Sequence, residues 1–205
     1  QLEDKNDRRV DFVFQALSDL QSKLTAMDRS LCIRVGKPLD IFKTLLEEYD
    51  VKAVYTNSDY EQSAIARDRA IEAFLQTNSI RFLSFKDQVI FEWNEVLKAN
   101  GEPYTIFTPY SKVWKQKLSD NDLLPYPSED FISKFIPMEH SSFPSLADIG
   151  FHKTDIVFST PMLDKNIIAN YENSRNIPAI EGTTRLSIHL RFGTISIREV
   201  VAYAL

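Results

Sequence analysis

Apolar positions along the chain change period several times, and each change marks an element. In DRRVDFVFQALSDLQSKL, Val10, Val13, Phe14, Leu17, Leu20 and Leu24 recur at steps of three and four, which is one face of a helix. LCIRVG follows as a short apolar run ending at Gly36 and reads as a strand. PLDIFKTLLEEY is a second amphipathic helix, with Pro38 suited to its first turn. VKAVYT reads as a strand that stops at the polar turn Asn57-Ser58-Asp59. EQSAIARDRAIEAFLQTN is a third helix, IRFLSF a third strand, and QVIFEW a candidate fourth. Helices alternating with short apolar strands give an α/β fold with a parallel sheet, whose ligands bind beyond the carboxyl ends of the strands.

From about Lys115 the pattern is lost. LSDNDLLPYPSEDFISKFIPMEHSSFPSLADIGFHKTD is rich in Pro, Ser and Asp, yet its scattered aromatics argue against free disorder. It reads as a long connection lying on a surface. Helical periodicity returns near Asn166 and runs to Leu205, a stretch too short for a core of its own.

Composition narrows the partners. The 205 residues are 43% hydrophobic and 26% charged, with a net charge of −5, so a nucleic-acid role would rest on a local patch. The single cysteine, Cys32, sits in an apolar run and reads as a buried, inert thiol in a reducing compartment. With no membrane span and no signal-peptide pattern, the expected location is cytoplasmic. Neither GxGxxG nor GxxxxGK[ST] occurs, and His140, His152 and His189 have no metal-ligand spacing, so no metal site is assigned and the histidines read as structural.

One cluster carries candidate chemistry. In EGTTRLSIHLRFGT, Thr184 is placed to cap a helix from about Arg185 to Phe192, and Gly193 to end it. Ser196 and Glu199 then form an S-x-x-E capping box for IREVVAYAL. Two threonine hydroxyls, free helix N–H groups, Arg185 and Ser187 make either an anion site or simply a helix start. Local chemistry leaves both open.

The wider run YENSRNIPAIEGTTRLSIHLRFGTISIRE resembles the opening of the flavin-binding helical domain of the DNA photolyase and cryptochrome family. The family pattern is a tyrosine, an arginine, a proline, G-T-[ST]-R-L-S, HLRFGT-like residues and a serine-led helix, and each part is present in order. NSDYEQSAIARD and GEPYTIFTPYSKVW are similar to family segments in and closing the α/β domain, so the resemblance covers nearly the whole chain.

The resemblance implies a Rossmann-like antenna domain over residues 1–116, an inter-domain linker over 117–165 and the first helices of an all-α FAD-binding domain over 166–205. It implies a carbon–carbon lyase in which reduced FAD, excited by blue light, gives an electron to a cyclobutane pyrimidine dimer flipped out of UV-damaged DNA. The alternative is a cryptochrome, a photoreceptor without repair; a nucleotide-binding α/β module unrelated to light would explain only residues 1–114. By motif position, Tyr171 and the run Thr183, Thr184, Arg185, Leu186 and Ser187 contact FAD, and Arg175 contacts DNA or is a solvated linker arginine. No catalytic residue is assigned. Some family members carry an antenna chromophore, a folate, deazaflavin or FMN. Glu102 lies where folate-binding members have a carboxylate, though it also suits a turn in NGEPY. Tyr110 and Trp114 read as core or interface.

Against the family pattern, no FWFRRDLR-type strand precedes Gln1, and most of the flavin domain is not in the sequence. The chain is therefore expected to be a piece truncated at both ends, to hold FAD weakly or not at all, to lack repair activity, and to self-associate through open sheet edges. Ile188 and Ile197 stand where the family often has proline.

Overall fold

The computed structural model describes residues 2–137 and 143–205. His140 lies outside them. Contacts divide the chain into two compact units, Gln1–Gly36 with Tyr126–Pro161, and Lys37–Pro125 with Met162–Leu205.

The first unit is built on helix α1, Arg8–Thr25, capped by the Asp7 side chain, which accepts from the Arg9 N–H at 2.8 Å. Arg9 also pairs with Asp7 and holds its carboxyl down at about 2. The helix is where periodicity puts it, and of the expected face Leu24 is buried and Val10, Val13 and Phe14 are half-buried, but the rest of that face departs from the pattern. Leu17 and Leu20 are exposed, whereas Phe12 and Asp11 are buried. The aromatics of the Pro/Ser/Asp-rich stretch supply the reason. Phe158 meets Phe12 edge-on at 4.9 Å, and Phe143 meets Phe14 at 5.3 Å.

Asp11 enters this apolar contact because its charge is satisfied there. It accepts from the Thr154 N–H at 2.8 Å, the Thr154 hydroxyl at 2.5 Å and Gln15 Nε2 at 2.9 Å. Burial alone would raise its pKa; these donors outweigh that and leave it below the ordinary aspartate value. Arg29 donates to the Ile132 and Ser133 carbonyls of the 3-10 helix Ser128–Lys134.

LCIRVG forms no strand. A strand is defined by its neighbour, and the described residues of this unit offer none. Cys32 is accordingly exposed rather than buried.

In the second unit, helix α2 (Pro38–Glu48), strand β1 (Ala53–Asn57), helix α3 (Gln62–Thr77) and strand β2 (Arg81–Phe85) follow the expected order. The strands pair in parallel, Val54 opposite Phe82 and Asn57 opposite Phe85, with α3 as the crossover. Ile71, Leu75 and Ile80 form the core here, joined by Phe42 and Leu46 of α2 and by Val54 and Phe82 from the sheet. Burying these side chains is the main favourable contribution to the unit, at about 1.5–3 kcal/mol for each fully buried one, Ile71, Leu75 and Ile80, and less for the half-buried ones.

QVIFEW is not a fourth strand but a series of bends. A strand would send consecutive Ile90 and Phe91 to opposite faces; the bends turn both into one cluster with Val96. Helix α4, Phe107–Lys117, completes that cluster with Tyr110, Val113 and Trp114, the last edge-on to Phe91 at 5.5 Å. Tyr110 and Trp114 are thus core residues. Glu95 is locked beside them. Burial opposes its charge, but Lys86 at 2.8 Å and the Glu92 N–H hold its carboxyl below the usual range.

Helices α5 (Lys165–Ser174), α6 (Ser187–Phe192) and α7 (Ile197–Ala204) end the chain. Ile197 and Val201 of α7 pack on the Ile90, Phe91 and Val96 cluster. The C-terminal helices therefore share a core with the α/β elements instead of needing one of their own.

Candidate functional site

The run from Gly182 to Ser187 is held by a close backbone approach. A Cβ on Gly182 would lie 2.5 Å from Cβ and Oγ of Ser174, so only glycine fits. The Ser174 hydroxyl shares its one proton between the carbonyls of Asn170 at 2.9 Å and Gly182 at 3.1 Å, tying the run to the end of α5. Tyr171 lies one turn before Ser174 on the same helix and is half exposed. The structure thus joins the two elements that carry Tyr171 and the Thr183–Ser187 residues.

Thr184 does not cap the helix. Arg185 has a φ of +52°, outside helical space, so α6 cannot start before Ser187, and Leu186 takes the cap position without a side-chain bond. Gly193 ends α6 in the left-handed conformation as its position suggests, and the Ser196 hydroxyl accepts from the Arg198 N–H at 3.3 Å to open α7.

Released from capping, the hydroxyls have no other employment. Among the described residues, those of Thr183, Thr184 and Ser187 have no hydrogen-bond partner. Thr183, Arg185 and Ser187 are exposed and Thr184 half-buried, whereas Leu186 is buried and anchors the run. Arg185 pairs with Glu181 at 2.8 Å, but both side chains are largely in solvent, so the pair is weak and exchangeable. Three free hydroxyls and a cation within five residues fit an anionic, diphosphate-like group. The donor set suits it chemically, and among the described residues only the solvent-exposed Glu181 pairs with Arg185.

Arg175, the C-terminal cap residue of α5, places its guanidinium 5.6 Å from the centre of the Tyr171 ring. Glu102 belongs to a tight turn: it accepts from Asn100 Nδ2 at 2.9 Å and faces Lys98 at 3.4 Å, around Gly101 with φ +83°. His189 is buried, with Nδ1 2.7 Å from the Thr194 hydroxyl. His152 is exposed.

A second feature was not visible in the sequence. Beyond the carboxyl ends of β1 and β2 lies a cleft of about 480 Å³, lined by Asn57, Asp87 and Gln88 on one side and by Arg191, Phe192 and Ser196 from the α6–α7 corner on the other. Asn57 Nδ2 donates to Asp87 at 3.1 Å, and Arg198 pairs with the other Asp87 oxygen at 2.5 Å. Arg191 pairs with Glu61. Only Asn57, ending a strand before a polar turn, was legible as a residue of this edge.

A parallel βαβ unit with a cleft at its carboxyl edge, leading into helices that carry a hydroxyl-and-arginine run, defines an α/β protein of the kind whose clefts lie beyond the strand ends. The chain belongs to the DNA photolyase family, whose profile matches residues 1–128. A deoxyribodipyrimidine photo-lyase of Synechococcus sp. is 28% identical over 93% of this chain and 43% of its own length. The crystal structure of a bacterial class III photolyase from Agrobacterium tumefaciens superposes with a TM-score of 0.75 at 23% identity, over 93% of this chain and 42% of that one. An archaeal photolyase from Sulfolobus tokodaii, solved with two FAD molecules, gives 0.61 at 18% identity, over 95% and 43%. The chain therefore spans well under half the length of these relatives. Among the described residues, no helix is long and apolar enough to cross a membrane.

Proposed function

We propose that this chain is the antenna half and the first part of the flavin clamp of a blue-light-driven DNA repair lyase that splits cyclobutane pyrimidine dimers. The observation that carries the reading is the Gly182–Ser187 run, fixed by the Gly182–Ser174 contact, with three unpartnered hydroxyls beside Arg185. Thr183, Thr184 and Ser187 would donate to the flavin diphosphate, Arg185 would exchange Glu181 for a phosphate oxygen, Leu186 would anchor the run, and Tyr171 would border the cofactor. When bound, reduced FAD supplies the light-driven electron; the chain's own residues bind and orient it.

By this reading residues 1–116 form the antenna domain, 117–165 the linker and 166–205 the start of the flavin domain. An antenna chromophore, a folate, deazaflavin or FMN, belongs with the α/β part, where the cleft beyond β1 and β2 has the size of a small-molecule site; Glu102 is a contact for a folate. Arg175 faces damaged DNA. The chain alone holds FAD weakly and repairs nothing, because its clamp side chains are open to solvent. Two hydrogen-bonded strands leave open edges, and Tyr55 and Phe85 stack on the exposed face at 6.1 Å. The chain alone therefore self-associates, which sedimentation at rising concentration will show as a growing species; a constant monomer ends that idea.

The deciding experiment purifies the full-length gene product, records its absorption and measures light-dependent loss of dimers from irradiated DNA. No bound flavin sinks the proposal, and flavin without repair favours a cryptochrome-type photoreceptor. Arg185→Ala should weaken flavin retention roughly tenfold, the worth of one charge-assisted hydrogen bond. Glu102→Gln should lower an antenna absorption band, and Arg175→Ala should reduce the salt slope of DNA binding by about one. An unchanged value in any of these removes that residue's assignment. FAD binding to the isolated chain at micromolar affinity or tighter contradicts the weak-binding statement.

A further inference from the structure

We propose that Arg198 is a positioning residue: by its ion pair with Asp87 it fixes the α6–α7 corner to the carboxyl edge of the sheet, and so presents the Thr183–Ser187 run in one arrangement. The flavin role of that run rests on the reading above; the positioning rests on geometry. Asn57 is the last residue of β1, and Asp87 follows β2 by two residues. Asp87 accepts from Asn57 with one oxygen and from Arg198 with the other, so a chain of charged and polar bonds runs from both strands to α7.

The Arg198 side chain is only 10% exposed, and a buried guanidinium must keep its partner or leave its site. Ile197 and Val201 flank it on α7 and enter the Ile90, Phe91 and Val96 cluster, so α7 cannot shift to find another carboxylate without opening that core. From α7 the constraint passes through a short, fixed corner. The Ser196 hydroxyl caps α7, Gly193 ends α6, and Thr194 bonds the buried His189 of α6. Leu186, buried at the start of α6, ends the path at the run itself. Beside the ion pair the corner and the sheet edge do not close up, and the 480 Å³ cleft separates them. At this edge the Arg198–Asp87 pair bridges the corner to the strand ends, while Ile197 and Val201 hold α7 on the core behind it. The second pair, Arg191 with Glu61, is half exposed at both ends and is the weaker tether.

The test is amide hydrogen exchange on the chain without flavin. Arg198→Met keeps the length and apolar stem and removes the charge. Exchange in Ser187–Phe192 should accelerate roughly tenfold or more, while α3 and the β1–β2 ladder keep their rates. Arg198→Lys, which retains a point charge and is the safer variant for folding, should give a smaller rise in the same segment. Exchanging the two charges, Asp87→Arg with Arg198→Asp, should restore part of the protection. The proposal is overturned if α6 keeps its rate in both single variants, or if α3 and the strands accelerate equally, which is a general loss of stability. A failure of the flavin reading would look different: the full-length product would purify without flavin, and the exchange result would stand.

Discussion

Asp11 and Gly182 show opposite ways in which one residue sets its surroundings. Asp11 is buried and charged, with three hydrogen bonds from Thr154 and Gln15. Its folded pKa lies below the usual value near 3.8, so its contribution to stability is present above about pH 4 and is lost as the pH falls through the folded value. Asp11→Asn should cost about 1–3 kcal/mol at neutral pH and flatten the acid limb of the unfolding curve; an unchanged acid midpoint refutes the clasp. Gly182 works by absence. Gly182→Ala drives a methyl into Ser174 and should cost about 1–3 kcal/mol in a thermal or urea melt. Adding Ser174→Gly should recover more than the sum of the single changes allows; strict additivity would show that the contact is not the cause. Neither residue was legible from spacing. Asp11 sits one position from the apolar face of its helix, and the loop around Gly182 gives no periodic signal.

At the level of elements, the legible parts were those whose signal is local. α1, α2, α3 and α7 lie within a residue or two of where periodicity and capping put them, and Gly193 ends α6 as glycine after a periodic run should. β1 and β2 were legible because a partner strand exists for each. LCIRVG and QVIFEW have the same apolar content, but strand formation is a pairing event and a single stretch of sequence cannot report its neighbour. α4 gives only a weak local signal although Tyr110, Val113 and Trp114 have helical spacing, because Pro109 and the surrounding Thr and Tyr imitate a loop. The run at 183–187 illustrates a finer limit. The residue types were legible, but the left-handed Arg185 that delays the helix, and so frees the threonines, is a backbone fact with no residue signature.

For the molecule as a whole, the Pro/Ser/Asp-rich stretch is neither a tail nor a simple spacer. Its Phe143, Thr154 and Phe158 complete the surface of α1, and α7 completes the cluster around Phe91. The second unit is consequently assembled from two separate lengths of chain, Lys37–Pro125 and Met162–Leu205. Covalent order and physical attachment part company at this point. A protease that nicks the backbone between Tyr126 and Pro161 should yield two bands on a denaturing gel that travel together in native chromatography, held by Ile197, Val201 and the Arg198–Asp87 pair. Separation of the pieces under native conditions would show that the connecting peptide, rather than α7, keeps the unit whole. If they stay together, the α/β part and the helices that follow it are a complementing pair, and expressing either without the other leaves half of one core exposed to water.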